Sequence, residues 1–154
     1  MRELRKKWDK HTEGWFGIIV YLFLGFVIAY LVNITLGFIL GTETPVVAVF
    51  SDSMIPTFYR GDMIIVYGAN DIKVGDVIVF DVPKRDYPII HRVHNMNNGI
   101  IKTKGDNNAG PDSWKNIDGT KFELKKENVY GKAFLKIPIL GWVKILFVEL
   151  TGLG

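Results

Sequence analysis

The 154-residue sequence contains no cysteine, which excludes disulfides, thiolate zinc sites and a cysteine nucleophile. Any chemistry must use oxygen or nitrogen, or a metal held without sulfur. A basic stripe interleaved with aromatics is also missing. The net charge of +3 is mild and the lysines are scattered, so the electrostatic footprint of a nucleic-acid binder is absent. Residues 15–40 (WFGIIVYLFLGFVIAYLVNITLGFIL) include no charged side chain, and no Lys or Arg follows until Arg60. No small-residue cleavage site follows a short apolar core, as it would in a removable export signal.

What is there begins with that apolar run. As a helix it covers roughly 39 Å, enough for a tilted crossing of a ~30 Å hydrocarbon core. Arg2, Arg5, Lys6, Lys7 and Lys10 precede it, and the positive-inside rule then keeps the N-terminus in the cytoplasm. The expected organisation is a basic cytoplasmic segment (1–14), a single transmembrane helix (15–40), an extracytoplasmic β domain (41–136) and a C-terminal apolar helix at the membrane interface (137–154). Asn33-Ile34-Thr35 matches a glycosylation acceptor only formally, because it falls within or at the edge of the bilayer.

The exported part reads as mainly β. PVVAVF from Pro45, DMIIVYG from Asp62 and DVIVFDV from Asp76 are β-branched apolar runs. The latter two are separated by turn residues, Gly68 to Asp71, which predicts a hairpin or meander. IIHRVHNM and IIKTKGD flank Asn97-Asn98-Gly99 and predict a second hairpin. NVYGKAF from Asn128 reads as a closing strand. The tail, IPILGWVKILFVEL, has an uninterrupted helical part of only about 17 Å from Leu140, too short to span a membrane. An interfacial helix and a core-packing helix both fit it.

Candidate chemistry lies in three places. Ser51-Asp52-Ser53-Met54-Ile55-Pro56-Thr57 leaves the first strand, and residues two apart in extended chain share a face, which brings the Ser51 and Ser53 hydroxyls together. Taken alone this is also an ordinary serine-rich strand end. Only 13 residues separate Leu40 from Ser53, a reach of at most about 45 Å, so Ser53 stays near the membrane surface. A serine hydroxyl needs a base, and beyond the span the bases on offer are His91 and His94; His11 lies before it. Three residues apart on a strand, His91 and His94 face opposite ways. Asp106 and Asp112, on a Gly- and Asn-rich loop, could orient a histidine or simply serve loop solubility.

Together these segments resemble the type I signal peptidases, in the branch of archaea and the endoplasmic reticulum. SDSMIPT is similar to the nucleophile box, HRV at His91 to Val93 to the box where this branch carries histidine in place of lysine, and KGDNNAGPDS (104–113) to the last box. The resemblance implies a small β-rich catalytic domain behind an uncleaved anchor, in which Ser53 attacks, His91 is the general base and Asp112 its acidic partner. Asp106 would hold the loop or the histidine, and Ser51 would assist the Ser53 N–H at the oxyanion. The implied reaction is cleavage of signal peptides after small residues, with Ala48, Val49, Phe50 and the Met63 to Val66 strand shaping shallow subsites. No cofactor and no metal is called for. The expected partners are signal-peptide-bearing preproteins and membrane lipid, with accessory subunits or a translocon left open and nucleic acid excluded. A soluble self-cleaving repressor-like peptidase is disfavoured by the anchor, the histidine and the missing DNA-binding module. A catalytically silent, membrane-anchored β module of a translocation complex is the alternative of a different class.

Overall fold

A computed structural model describes residues 14–152; the basic cluster between Arg2 and Lys10 lies outside them. The chain divides into two compact units, one ending at Leu36 and the other beginning at Gly37. The apolar run forms a single helix, α1 (Trp15–Leu40), in which Gly17 is the one buried residue. Rows of large apolar side chains stand exposed along it, and its length and composition suffice to cross a membrane. The polar group of Thr35 is satisfied inside the helix, donating to the Leu31 carbonyl at 2.8 Å.

The second unit is built on one six-stranded antiparallel sheet: β1 (Val46–Ala48), β2 (Met63–Tyr67), β3 (Val77–Phe80), β4 (Ile89–Asn97), β5 (Ile100–Lys104) and β6 (Val129–Ile137). Its spatial order is β1-β2-β6-β3-β4-β5. The β4–β5 hairpin forms as its turn chemistry demands, with Asn98 and Gly99 both at positive φ. The hairpin expected between β2 and β3 does not form. Instead β6 enters between the two strands and takes the ladder bonds of both; each runs antiparallel to β6, so β2 and β3 run parallel and the chain crosses over β6 instead of reversing.

Apolar side chains pack on both faces of the sheet. Val47, Val49, Met54, Phe58, Ile64 and Val66 lead one cluster. Ile78, Phe80, Val82, Val93, Ile101 and Leu124 form the other. Val79 belongs to the first cluster and its neighbours Ile78 and Phe80 to the second, which is why β3 is a continuous apolar run and not an alternating one.

The closing strand runs on to Ile137, and the tail helix α2 starts at Trp142 and ends at Thr151. Its C-terminus is capped by Gly152 in the left-handed region, whose N–H bonds the Val148 carbonyl. Ile145 is fully buried. The Gly141 N–H bonds the Gly61 carbonyl at 2.9 Å, and Arg60 both covers the Trp142 ring and pairs with Glu149 at 2.5 Å. A Cβ on Gly61, at φ +93, would fall 2.0 Å from Trp142 Nε1, so this turn accepts the indole only because it is glycine. The opposite side of α2 is unlike this docked face: Val143, Leu146, Phe147 and Leu150 are all exposed.

Candidate active site

The third residue of β4, His91, and the last of β3, Phe80, set the site. Strand alternation turns His91 inward beside Phe80, and leaves Arg92 and Ile90 on the other face. The imidazole is buried and flanked by two aromatic rings, Phe80 at 6.5 Å and Trp114 at 6.3 Å between centroids. His94 is exposed, the unpaired residue of a bulge between Val93 and Asn95, and takes no part.

Each nitrogen of His91 has a partner. Nδ1 lies 2.5 Å from Asp112 Oδ2 and Nε2 lies 3.0 Å from Ser53 Oγ. Both the histidine and aspartate side chains are less than a tenth exposed. An ionised carboxylate only accepts, so Asp112 draws the ring proton to Nδ1 and leaves the Nε2 lone pair aimed at the Ser53 hydroxyl. Asp112 also accepts from Thr103 Oγ1 at 2.7 Å, and its own N–H bonds the Thr103 carbonyl at 2.8 Å. These two bonds fix the carboxylate on β5.

Ser53 sits on the turn that leaves β1. Met54, 1% exposed, roots that turn in the core, and the Ile55–Pro56 peptide is cis. The loop after β5 holds the turn from the other side. Asn107 donates its N–H to the Ser53 carbonyl at 2.8 Å and its Nδ2 to the Asp52 carbonyl at 3.1 Å. Gly105 lies against the same carbonyl, where an added Cβ would come within 2.7 Å of it. The two serine hydroxyls are 3.0 Å apart, so Ser51 is beside Ser53 as their spacing implies.

Asp106 stands elsewhere. It takes two bonds from Arg92, Nε to Oδ1 at 2.8 Å and a terminal nitrogen to Oδ2 at 2.7 Å, and a third from the Thr57 hydroxyl. Arg92 also donates to the Gly75 carbonyl at 2.8 Å. The Arg92 hydrogen bonds, and then that of Thr57, hold the Asp106 carboxyl below the ordinary range, while Asp106 raises Arg92. Of the two roles left open for Asp106, holding the loop is the one its contacts fit; it hydrogen-bonds Arg92 and Thr57, not the imidazole.

A cavity of about 60 Å³ adjoins the hydroxyls, lined by Ala48, Val49, Phe50, Ile90 and both serines. Met63 to Val66 do not line it. They pair with the other side of β1, and Ile64 and Val66 are buried in the core. The opposite wall is instead Tyr87 to Ile90, at the start of β4. Thr103, Arg92 and Tyr87 are contributors that motif reading passes over. Thr103 had one signal, a polar residue on the inward face it shares with Ile101.

The Peptidase S24-like family matches residues 30–130, which include Ser53, His91 and Asp112. The signal peptidase complex catalytic subunit SEC11 of Scheffersomyces stipitis is 36% identical over 129 residues, covering 80% of this chain and 78% of the relative. The same subunit of Candida tropicalis is 36% identical over 126 residues, covering 79% and 76%. Human signal peptidase complex catalytic subunit SEC11C is 42% identical over 113 residues, which are 69% of this chain but 58% of that longer relative. The chain belongs to the S24-like peptidases, in the signal peptidase branch of archaea and the endoplasmic reticulum.

Proposed function

We propose that the chain is a membrane-anchored serine endopeptidase that removes N-terminal signal peptides from exported preproteins after small residues. The observation that carries this reading is the hydrogen-bonded series Ser53 Oγ, His91 Nε2, His91 Nδ1, Asp112 Oδ2 beside a methyl-sized cavity. His91 Nε2 takes the hydroxyl proton as Ser53 Oγ bonds to the scissile carbonyl carbon. The tetrahedral oxyanion is met by the Ser53 N–H and the Ser51 hydroxyl. The imidazolium, steadied by Asp112, then gives its proton to the leaving amine, and an acyl-enzyme on Ser53 remains. Water attacks that ester with His91 again as base, releasing the signal peptide and restoring Ser53. Asp106 is a positioning residue that clasps Thr57 to Arg92.

The substrate has a template for its extended backbone. Pro45 and Val49 turn their ladder groups toward β2, as in Val66 N–H to Pro45 O and Val49 N–H to Asp62 O. By alternation, Val46, Ala48 and Phe50 present theirs at the open edge of the sheet. Helix α1 serves as the anchor, with the basic N-terminus in the cytoplasm and the catalytic domain outside. The apolar exposed stripe of α2 rests at the membrane interface. The relatives are named as subunits of a complex, which supports accessory chains as partners here too.

The test is cleavage of a purified preprotein by the detergent-solubilised chain and by Ser53→Ala, with the cut mapped by mass spectrometry. One cut after a small residue, absent in the variant, is expected; cleavage surviving in Ser53→Ala overturns the mechanism. Failure of a serine-acylating reagent to label the wild type would return the reading to a silent scaffold.

A further inference from the structure

Beside the small cavity lies a larger one, about 440 Å³ and mostly apolar, that has no role in the chemistry above. The two are continuous: Ala48, Phe50, Tyr87 and Pro88 line both. The rings of Phe50 and Tyr87 stack at 5.9 Å and form the saddle between them. One wall of the larger groove is the edge of the sheet at Thr44 and Val47, and the facing wall is α2, through Lys144, Val148 and Glu149. The arginine pair of Glu149 and the burial of Ile145 hold that wall in place.

We infer that α2 forms the far wall of the substrate groove and selects the residues of the substrate about four to seven positions before the cut. This rests on the proposed function, which sets the scissile bond at Ser53. A substrate paired along the open edge from Phe50 back through Ala48 and Val46 advances about one residue per residue of β1. Its first and third positions then meet the small cavity, and its positions beyond the third pass the Phe50–Tyr87 saddle into the groove. The lining the groove shares with the catalytic cleft, its place beside an unpaired strand edge and its apolar character together specify the occupant: an extended apolar peptide segment belonging to the substrate. The groove-facing residues Lys144 and Val148 lie on a different face of α2 from the exposed stripe of Val143, Leu146, Phe147 and Leu150. One short helix therefore serves two surfaces.

The experiment compares two peptide substrates, one retaining apolar residues at positions four to seven before the cut and one beginning at position three. Wild type is expected to cleave the longer with kcat/KM about tenfold higher, chiefly through KM. In Val148→Trp, which fills the groove, that ratio falls toward one. In Val148→Ala, which widens it, preference among longer substrates moves from Ala toward Leu or Phe at these positions. The opposite signs of the two shifts distinguish a groove from a folding defect, and acylation of Ser53 in both variants reports an intact catalytic site. Equal kcat/KM for both peptides in the wild type overturns the groove while leaving the endopeptidase standing. So does an unchanged preference in both variants, the result expected if a lipid chain or a second copy of the protein occupied the groove. Cleavage of neither peptide by the wild type overturns the endopeptidase reading and this inference together.

Discussion

His91 works through its neighbours, and those neighbours decide what may replace it. In the proposed mechanism, with Asp112 accepting from Nδ1 and the Ser53 hydroxyl facing Nε2, the neutral ring is the competent base. Lysine at position 91 would set an ammonium against the Asp112 carboxylate, and that charge favours the protonated, useless form. His91→Lys should therefore stay inactive, and near-native turnover would refute the assignment. Thr103→Val keeps the shape while removing one of the donors to the buried Asp112 carboxylate. At about 1.5–3 kcal/mol for a bond to a charged group, kcat should drop roughly ten- to a hundredfold with KM little changed. An equal rise in KM would point instead to a disturbed groove. The serine and histidine could be found from motif boxes because their chemistry restricts residue type. Thr103 lies in none of those boxes, and although Arg92 stands inside HRV its role, like that of Thr103, depends on which strand faces it shares with residues far away in the chain.

The turn bearing Ser53 is held by elements remote in sequence, and its behaviour follows from theirs. The Asp106–Arg92 pair joins β4 to Thr57, and the carboxyl titrates below its ordinary value because Arg92 and Thr57 bond its ionised form. A depressed folded-state value means stability present above the unfolded value near 3.9 and lost as pH falls through the lower folded one. The contribution should thus be full at neutral pH, begin to fall below about pH 4 and be gone only below the lower folded value. Arg92→Met should lower the melting temperature at pH 7 and show a smaller difference from wild type at pH 3; a constant difference would deny the pair this role. Gly105→Ala tests the same turn from the other side. Its Cβ would meet the Ser53 carbonyl, so cleavage should fall while far-ultraviolet circular dichroism stays as in wild type. The strands themselves were legible in their β-branched runs, and so was the Asn98-Gly99 turn. The arrangement of β2 and β3 was not: Gly68 to Asp71 supplies turn residues without fixing whether the chain doubles back, and adjacency was decided by β6, which begins more than sixty residues after β2 starts and pairs antiparallel with both, leaving β2 and β3 parallel.

At the scale of the whole molecule, the described residues carry two apolar surfaces outside the core, α1 and the outward stripe of α2. Val143, Leu146, Phe147 and Leu150 recur at helical spacing with Leu150 84% exposed, while Ile145 on the other side is fully buried. A helix that uses one side to dock on its own domain cannot be explained by that docking on the other, and on the proposed interfacial reading lipid covers that stripe. The absence of cysteine supplies a direct test, because one introduced thiol is the only site a nitroxide label can take. Single cysteines at Val143, Leu146, Phe147 and Leu150, in the full chain reconstituted into vesicles, should carry labels relaxed by oxygen dissolved in the acyl region. A label at Thr120, on the exposed turn between Asn116 and Lys121, should respond to a water-soluble paramagnetic complex. Water-like behaviour at all four α2 positions would reject the interfacial helix and leave α1 as the sole attachment. Lipid-like behaviour at the four positions would mean that the α2 wall of the groove is held at the membrane, where a signal peptide emerges with its apolar segment still near lipid and can pass directly along β1 to Ser53.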